Sequence, residues 1–170
     1  VHQAAQELNC HVVTPRRFYG EEGDTILDQL SPDACLVIAY GQIIKANHLE
    51  RLPDRWFNLH GSLLPRWRGA APIARSVLAG DTESGVCLMQ MDEGLDTGDV
   101  LAQVSTSISP ADTSGSLEAR LGELGSRLLV DSLNTFDTLV PLPQSSVGMT
   151  YATKIKTAEA AIDWDLPSEQ

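Results

Sequence analysis

Phe57-Asn58-Leu59-His60-Gly61-Ser62-Leu63-Leu64-Pro65-Arg66-Trp67-Arg68-Gly69-Ala70-Ala71-Pro72 is the stretch whose reading decides the fold. It follows Arg55 and Trp56 and has the look of a short strand, then a loop, then a helix start. In a strand, alternate side chains share a face, so Asn58 and His60 point the same way. They sit where a strand ends, and open α/β sheets bind ligands beyond the carboxyl ends of their strands. An amide beside an imidazole on a rigid element suits stabilisation of an oxyanion and movement of a proton. Taken alone, a histidine after a strand also suits a structural role, and that alternative stays open at this point.

Working outward, Gly85-Val86-Cys87-Leu88-Met89-Gln90-Met91 reads as a strand, and Val100-Leu101-Ala102-Gln103-Val104 reads as another. The glycine-punctuated acidic turn Asp92-Glu93-Gly94-Leu95-Asp96-Thr97-Gly98-Asp99 joins them, as in a hairpin with a long connection. That turn can bring a carboxylate to His60. Amide, imidazole and carboxylate together form a set suited to transfer at a carbonyl, although Asp-Thr-Gly also suits a plain turn. Asp92, Glu93 and Asp99 read as turn or solvated residues.

Upstream, residues 1–9 read as a helix, Cys10–Val13 as a short strand, and Asp24–Leu30 as a second helix stopped by Ser31-Pro32. The apolar run Ala34–Ala39 predicts a central parallel strand covered on both faces. A helix around Ile44–Arg51 follows. Downstream, Ala71–Ala79 is a helix with Pro72 in its first turn and Gly80 at its end. After Asp112-Thr113-Ser114-Gly115, leucines at 117, 121, 124 and 128 recur at helical spacing, which predicts a long packed helix. Pro141-Leu142-Pro143-Gln144-Ser145-Ser146 reads as a linker, with an irregular polar tail beyond it. Strands alternating with helices imply an α/β fold, Rossmann-like, with a mostly parallel sheet and an antiparallel extension.

The 170 residues suit one domain with a sizeable core. No apolar run is long enough to span a bilayer. Cys10, Cys35 and Cys87 are scattered, without metal-ligand spacing, and read as reduced thiols. His2, His11 and His48 read as structural. The net charge of −11, from 12 basic and 23 acidic residues, argues by itself against a nucleic-acid partner, which would need clustered cations. Arg51, Arg55, Arg66, Arg68 and Arg75 are the partial exception. Arg51, Arg55 and Arg75 read as solvated surface, whereas Arg66 and Arg68 lie inside the motif.

Asn58, His60, Ser62-Leu63-Leu64-Pro65 with Arg68-Gly69 behind it, and Leu95-Asp96-Thr97-Gly98 together resemble the folate-dependent formyltransferase family. Three further segments resemble its branch acting on methionyl-tRNA. They are Arg66–Ile73, Met89-Gln90-Met91-Asp92, and Thr150–Ile155 followed by Ile162-Asp163-Trp164. The resemblance covers nearly the whole chain. Family members open with a strand and a glycine-containing loop and continue into a small C-terminal domain. The chain is therefore expected to be a middle piece of a longer protein, with 1–140 a partial formyltransferase catalytic domain and 141–170 a linker.

What the resemblance implies is formyl transfer from 10-formyltetrahydrofolate to the α-amine of initiator methionyl-tRNA. Asn58, His60 and Asp96 would be catalytic, and Ser62, Leu63, Leu64 and Pro65 would contact folate. No metal, membrane or obligate protein partner is implied, and the setting would be the bacterial cytoplasm, or a mitochondrion or plastid in a eukaryote. In the family, much of the tRNA contact comes from segments outside this stretch, which reconciles the acidic charge with that acceptor. A cis Leu64–Pro65 bond is also expected. The alternatives are another enzyme using 10-formyltetrahydrofolate, such as the hydrolase domain of formyltetrahydrofolate dehydrogenase or a sugar-nucleotide or glycinamide ribonucleotide formyltransferase, or an inactive folate-binding fragment.

Overall fold

The computed structural model describes residues 2–161 and residue 164. Its main sheet sets β1 (Cys35–Ile38), β2 (Trp56–His60), β4 (Glu83–Gln90) and β5 (Val100–Ser107) side by side in that order. β1 and β2 are parallel, with Cys35 opposite Trp56. β2 and β4 are antiparallel, with His60 opposite Cys87, and β4 and β5 form the expected hairpin, with a register shift between Leu88 and Met89. A separate pair joins β3 (Arg68–Gly69) to β6 (Tyr151–Ala152) in parallel. Around these lie α1 (His2–Glu7), α2 (Glu21–Leu30), α3 (Ala46–Leu49), α4 (Pro72–Leu78) and α5 (Ser114–Asn134). The fold is α/β, with a parallel ladder at β1–β2 and an antiparallel extension through β4 and β5.

The two faces of the sheet follow from the period-two alternation of its strands. On one face Val86 packs with Leu117 and Leu121 of α5, joined by Leu59, Ile73, Val77 and Val104. Phe57 points the same way and meets Phe136 edge-on, with ring centroids 5.0 Å apart. α5 begins with a reciprocal cap. Thr113 Oγ1 accepts from the Ser116 amide and Ser116 Oγ accepts from the Thr113 amide. Its leucine stripe can reach the sheet because Gly125 faces Leu59 and Val86. A Cβ there would stand 3.1 Å from Leu59 Cδ2 and 3.3 Å from Val86 Cγ1.

The opposite face carries two further clusters. Leu27, Ile44 and Trp56 pack with Phe18, Cys35 and Val37, and Leu64 packs with Cys87 and Met89. Asn58 and His60 alternate with Phe57 and Leu59 and so belong to this second face, alongside Trp56.

Three expectations change. Residues 10–13 form no strand; α1 ends at Glu7 and the chain then runs without regular structure to α2. β1 is not covered on both faces: Cys35 and Val37 pack beneath α2 and α3, but Leu36 and Ile38 are 42% and 52% exposed. It is the end strand of the described sheet, and among the described residues Leu36 and Ile38 join none of the core clusters. The stretch read as a linker and irregular tail is tied into the fold. Leu142 exchanges backbone hydrogen bonds with Val100, and β6 pairs with β3. Ile162 and Asp163 lie outside the described residues; Trp164 is exposed.

Candidate active site

β2 presents Asn58 and His60 side by side, as their alternate spacing predicts, and the β4–β5 connection brings Asp96 over them. Asn58 Nδ2 donates to Asp96 Oδ1 at 3.3 Å. His60 Nδ1 stands 3.7 Å from Asp96 Oδ2. The amide of Gly69 donates to that same Oδ2 at 2.7 Å. The three residues named from the sequence therefore meet at one carboxylate, and the His60 and Asp96 side chains are both largely buried.

The second ring nitrogen of His60 is engaged elsewhere. Nε2 is 2.9 Å from the carbonyl oxygen of Trp67. A carbonyl can only accept, so Nε2 carries the hydrogen. Nδ1 is left facing Asp96 across a gap longer than a hydrogen bond, open to exchange a proton with a third group. Trp67 has φ 65, in the left-handed region uncommon for a bulky residue. Its conformation is held by the amide, which donates to Thr150 Oγ1 at 2.9 Å, and by the indole Nε1, which donates to Asp81 Oδ2 at 2.7 Å.

The loop from Ser62 to Trp67 is rigid and internally bonded. Leu64–Pro65 is cis, as expected. Ser62 is buried, and its Oγ donates to the Arg66 carbonyl at 2.6 Å. Leu64 is buried against Cys87 and Met89. Of the four residues assigned to folate, the Ser62 hydroxyl and the Leu64 side chain thus serve the loop itself. Leu63 and Pro65, half-buried, and the loop backbone are what it turns outward. Leu63 also lines a cavity of about 440 Å³ with Arg66, Trp67, Asp81 and Ser84, which does not include Asn58, His60 or Asp96.

Four of the five arginines near the motif are engaged within the chain. Arg66 makes a two-point pair with Asp81, at 2.9 and 2.6 Å, and its guanidinium lies 4.4 Å from the centre of the Trp67 ring. That hydrogen-bonded guanidinium holds the Asp81 carboxyl below its ordinary range, with the Trp67 indole assisting. Arg75 pairs with Glu159, and Arg51 with Asp24 and Asp28. Arg68, buried, donates through Nε and one terminal nitrogen to Gln144 Oε1 at 3.0 and 2.7 Å.

Cys87, opposite His60 across the strand pair, is fully buried, and burial pushes its thiol up to about 11. A thiol with that value is not a thiolate nucleophile near neutral pH. Among the described residues no cluster of His, Cys, Asp and Glu is suited to hold a metal ion, and no helix is long and apolar enough to cross a membrane. Sequence reasoning missed the Trp67 carbonyl, the Gly69 amide and Gln144. The first two are backbone groups inside the motif. Gln144 has no local signal, because its partners lie 46 to 76 positions away.

Comparison with known proteins identifies the family. A family model described as formyl transferase matches residues 1–133. The methionyl-tRNA formyltransferase of Jannaschia sp. (strain CCS1) is 46% identical over 168 residues, covering 99% of this chain and 56% of that protein. The methionyl-tRNA formyltransferase of Paracoccus denitrificans (strain Pd 1222) is 47% identical over 170 residues, covering 100% of this chain and 57% of that protein. The chain thus spans about half the length of the curated relatives it matches. Among solved structures, the sugar 3N-formyl transferase WlaRD, determined in the presence of dTDP and 5-N-formyl-THF, superposes with a TM-score of 0.74 at 25% identity, covering 89% of this chain and 52% of that one. The formyltransferase PseJ from Anoxybacillus kamchatkensis, in complex with a UDP-sugar and tetrahydrofolate, gives 0.73 at 26% identity, covering 89% and 78%. From the strand that carries Asn58 and His60 to the helix that braces it, the chain belongs to the formyl transferase family.

Proposed function

We propose that this chain carries the site at which a protein moves a formyl group from 10-formyltetrahydrofolate to the α-amine of initiator methionyl-tRNA. The observation that carries the proposal is the convergence of Asn58 and His60 on the Asp96 carboxylate, at 3.3 and 3.7 Å. The identities of 46% and 47% to methionyl-tRNA formyltransferases support the acceptor, and the folates named with the two neighbouring structures support the donor.

Attack of an amine on a formyl carbon forms a carbon–nitrogen bond and builds negative charge on the formyl oxygen. Asn58 Nδ2 has two hydrogens; one is given to Asp96, and the other is free for that oxygen. A donor in such a position typically lowers the barrier by about 3 kcal/mol. The amine must lose a proton, and Asp96 takes it directly or through one water. The bond from the formyl carbon to the folate nitrogen then breaks. That nitrogen gains the proton the amine gave up, passed on from Asp96 by way of His60 Nδ1. Neither a metal nor a covalent enzyme intermediate is needed.

Residues 62–65 form the floor beneath the folate, through the loop backbone, Leu63 and Pro65. Residues 1–140 make up the catalytic segment, and 141–170 are the linker that leads on from it. We assign the reaction to the bacterial cytoplasm, where aminoacyl-tRNA is made. The test is formylation of methionyl-tRNA by the full-length protein, followed on acid gels, with glycinamide ribonucleotide and amino-sugar nucleotides as competing acceptors. Preference for either small acceptor would overturn the assignment of tRNA while leaving formyl transfer in place.

A further inference from the structure

Gln144 stands outside the segment matched by the family model, in a stretch that reads from sequence as a linker. Its amide nevertheless joins both halves of the site. Oε1 accepts from Arg68 Nε and from a terminal nitrogen of Arg68, at 3.0 and 2.7 Å. Nε2 donates to the carbonyl oxygens of Asp96 and Gly98, at 2.9 and 2.7 Å. The orientation of the amide is fixed by chemistry. A guanidinium has only donors and a carbonyl only accepts, so the flipped amide would lose all four bonds.

The position it braces is a demanding one. Asp96 has φ 52, in the left-handed region. Non-glycine residues persist there when their surroundings over-determine them. Gln144 grips the carbonyls of residues 96 and 98, on both sides of Thr97, while the Gly69 amide holds the Asp96 carboxylate from the side of β3. Arg68 and Gly69 are adjacent, so one dipeptide acts on Asp96 twice, directly through Gly69 and indirectly through Gln144. We infer that Gln144, bridged to Arg68, is a positioning residue that sets the Asp96 carboxylate against Asn58 and His60. It does not touch the reacting atoms. The inference rests on the catalytic reading of Asp96 given above.

Two variants separate positioning from simple satisfaction of the buried Arg68. Gln144→Glu keeps acceptors for Arg68 but replaces the amide donor with a carboxylate oxygen facing two carbonyls. Gln144→Ala removes both ends. Misplacement of a catalytic group by about 1 Å can cost about a hundredfold in rate. Both variants of the full-length protein should therefore lose at least about fivefold in kcat, with KM for 10-formyltetrahydrofolate changed by less than about threefold. In an Asp96→Ala background Gln144→Ala should lower kcat by less than about twofold further, because residues acting as a unit are not additive. A Gln144→Glu enzyme that keeps its fold, shown by its melting curve, and turns over within about fivefold of wild type would overturn the inference, as would losses that multiply in the double variant. If Gln144→Ala does not fold, Gln144→Glu decides alone; if that variant also fails to fold, hydrogen exchange at the Gln90 amide, which donates to the Asp99 carbonyl next to the gripped turn, decides in the folded Arg68→Lys protein, with unchanged protection overturning it. Wild-type turnover in Asp96→Ala would instead defeat the catalytic reading itself.

Discussion

β1 and β4 are strands of one sheet, yet their surroundings differ sharply. Six consecutive residues of β4, Ser84 to Met89, are buried, whereas along β1 exposed residues alternate with half-buried ones. β4 has a paired strand on each side, α5 across one face, and the Leu64 cluster on the other. Among the described residues β1 has one neighbouring strand, and its Cys35 and Val37 face packs into a core cluster while Leu36 and Ile38 do not. The site is attached to the well-braced half. His60 and Asn58 lie on β2 directly against β4, and the Asp96 turn continues from β4 itself. The proposed reaction, which needs three side chains held close together, falls on the part of the fold least able to give way.

The largest expected effect breaks the site while leaving both regions folded. In the full-length protein, Asn58→Ala, His60→Ala and Asp96→Ala should each lower kcat by at least about a hundredfold, with folate affinity changed far less. Steady-state formylation and a folate titration on the same preparations check this, and wild-type turnover would remove that residue from the chemistry.

Core truncation sharpens the contrast between the strands. Leu88→Ala on β4 should cost about 2–5 kcal/mol, whereas Ile38→Ala on the open face of β1 should cost less than about 1 kcal/mol. Urea midpoints at constant m-value report both, and equal losses would show that β1 is as well packed as β4.

A smaller effect comes from adding a methyl group to a glycine on each side. At Gly85 a Cβ would collide with the Val104 carbonyl oxygen and stand 2.5 Å from Leu63 Cδ2, whereas at Gly41 nothing lies within 4 Å. Gly85→Ala should destabilise by about 1–3 kcal/mol and Gly41→Ala should stay within about 0.5 kcal/mol of wild type. Thermal melts of the two single variants suffice.

The smallest is a pH effect confined to the braced half. Asp81, bonded to Arg66 and Trp67, has its folded-state pKa below the ordinary value of about 3.9. Its contribution is therefore fully present above that value and is lost as pH falls through the lower folded-state pKa. Asp81→Asn should flatten the decline of melting temperature below about pH 4. A decline as steep as in wild type would assign that acid sensitivity to other carboxylates.

What could be read from the sequence follows the same division. β2 was legible residue for residue, because a short strand ending in Asn-Leu-His before a Ser-Pro-Gly loop has both its period and its stop written locally. The β4–β5 hairpin and the leucine stripe of α5 were legible for the same reason. β1 was legible as a strand but not in its surroundings, since an apolar run does not say which helices lie over it. β6 is two residues long and shows no period, and it exists because β3 offers it a partner. The convergence of Asn58, His60 and Asp96 was foreseen from alternation and the position of the turn, while their roles came from the family resemblance. Gln144 was illegible because an isolated amide among prolines and serines looks like surface until the fold folds it back.

Gly125 gives the long helix a meaning beyond packing. It faces Leu59, and Leu59 is the residue between Asn58 and His60, turned to the back of the same strand. The thickness of the layer between helix and sheet is therefore a setting of the proposed reaction centre, fixed from behind by a residue with no side chain. A single methyl group at this position would stand 3.1 Å from Leu59 Cδ2, so Leu59 would have to give way by a few tenths of an ångström. The geometry of the proposed site thus has a calibration point on a helix behind its own strand.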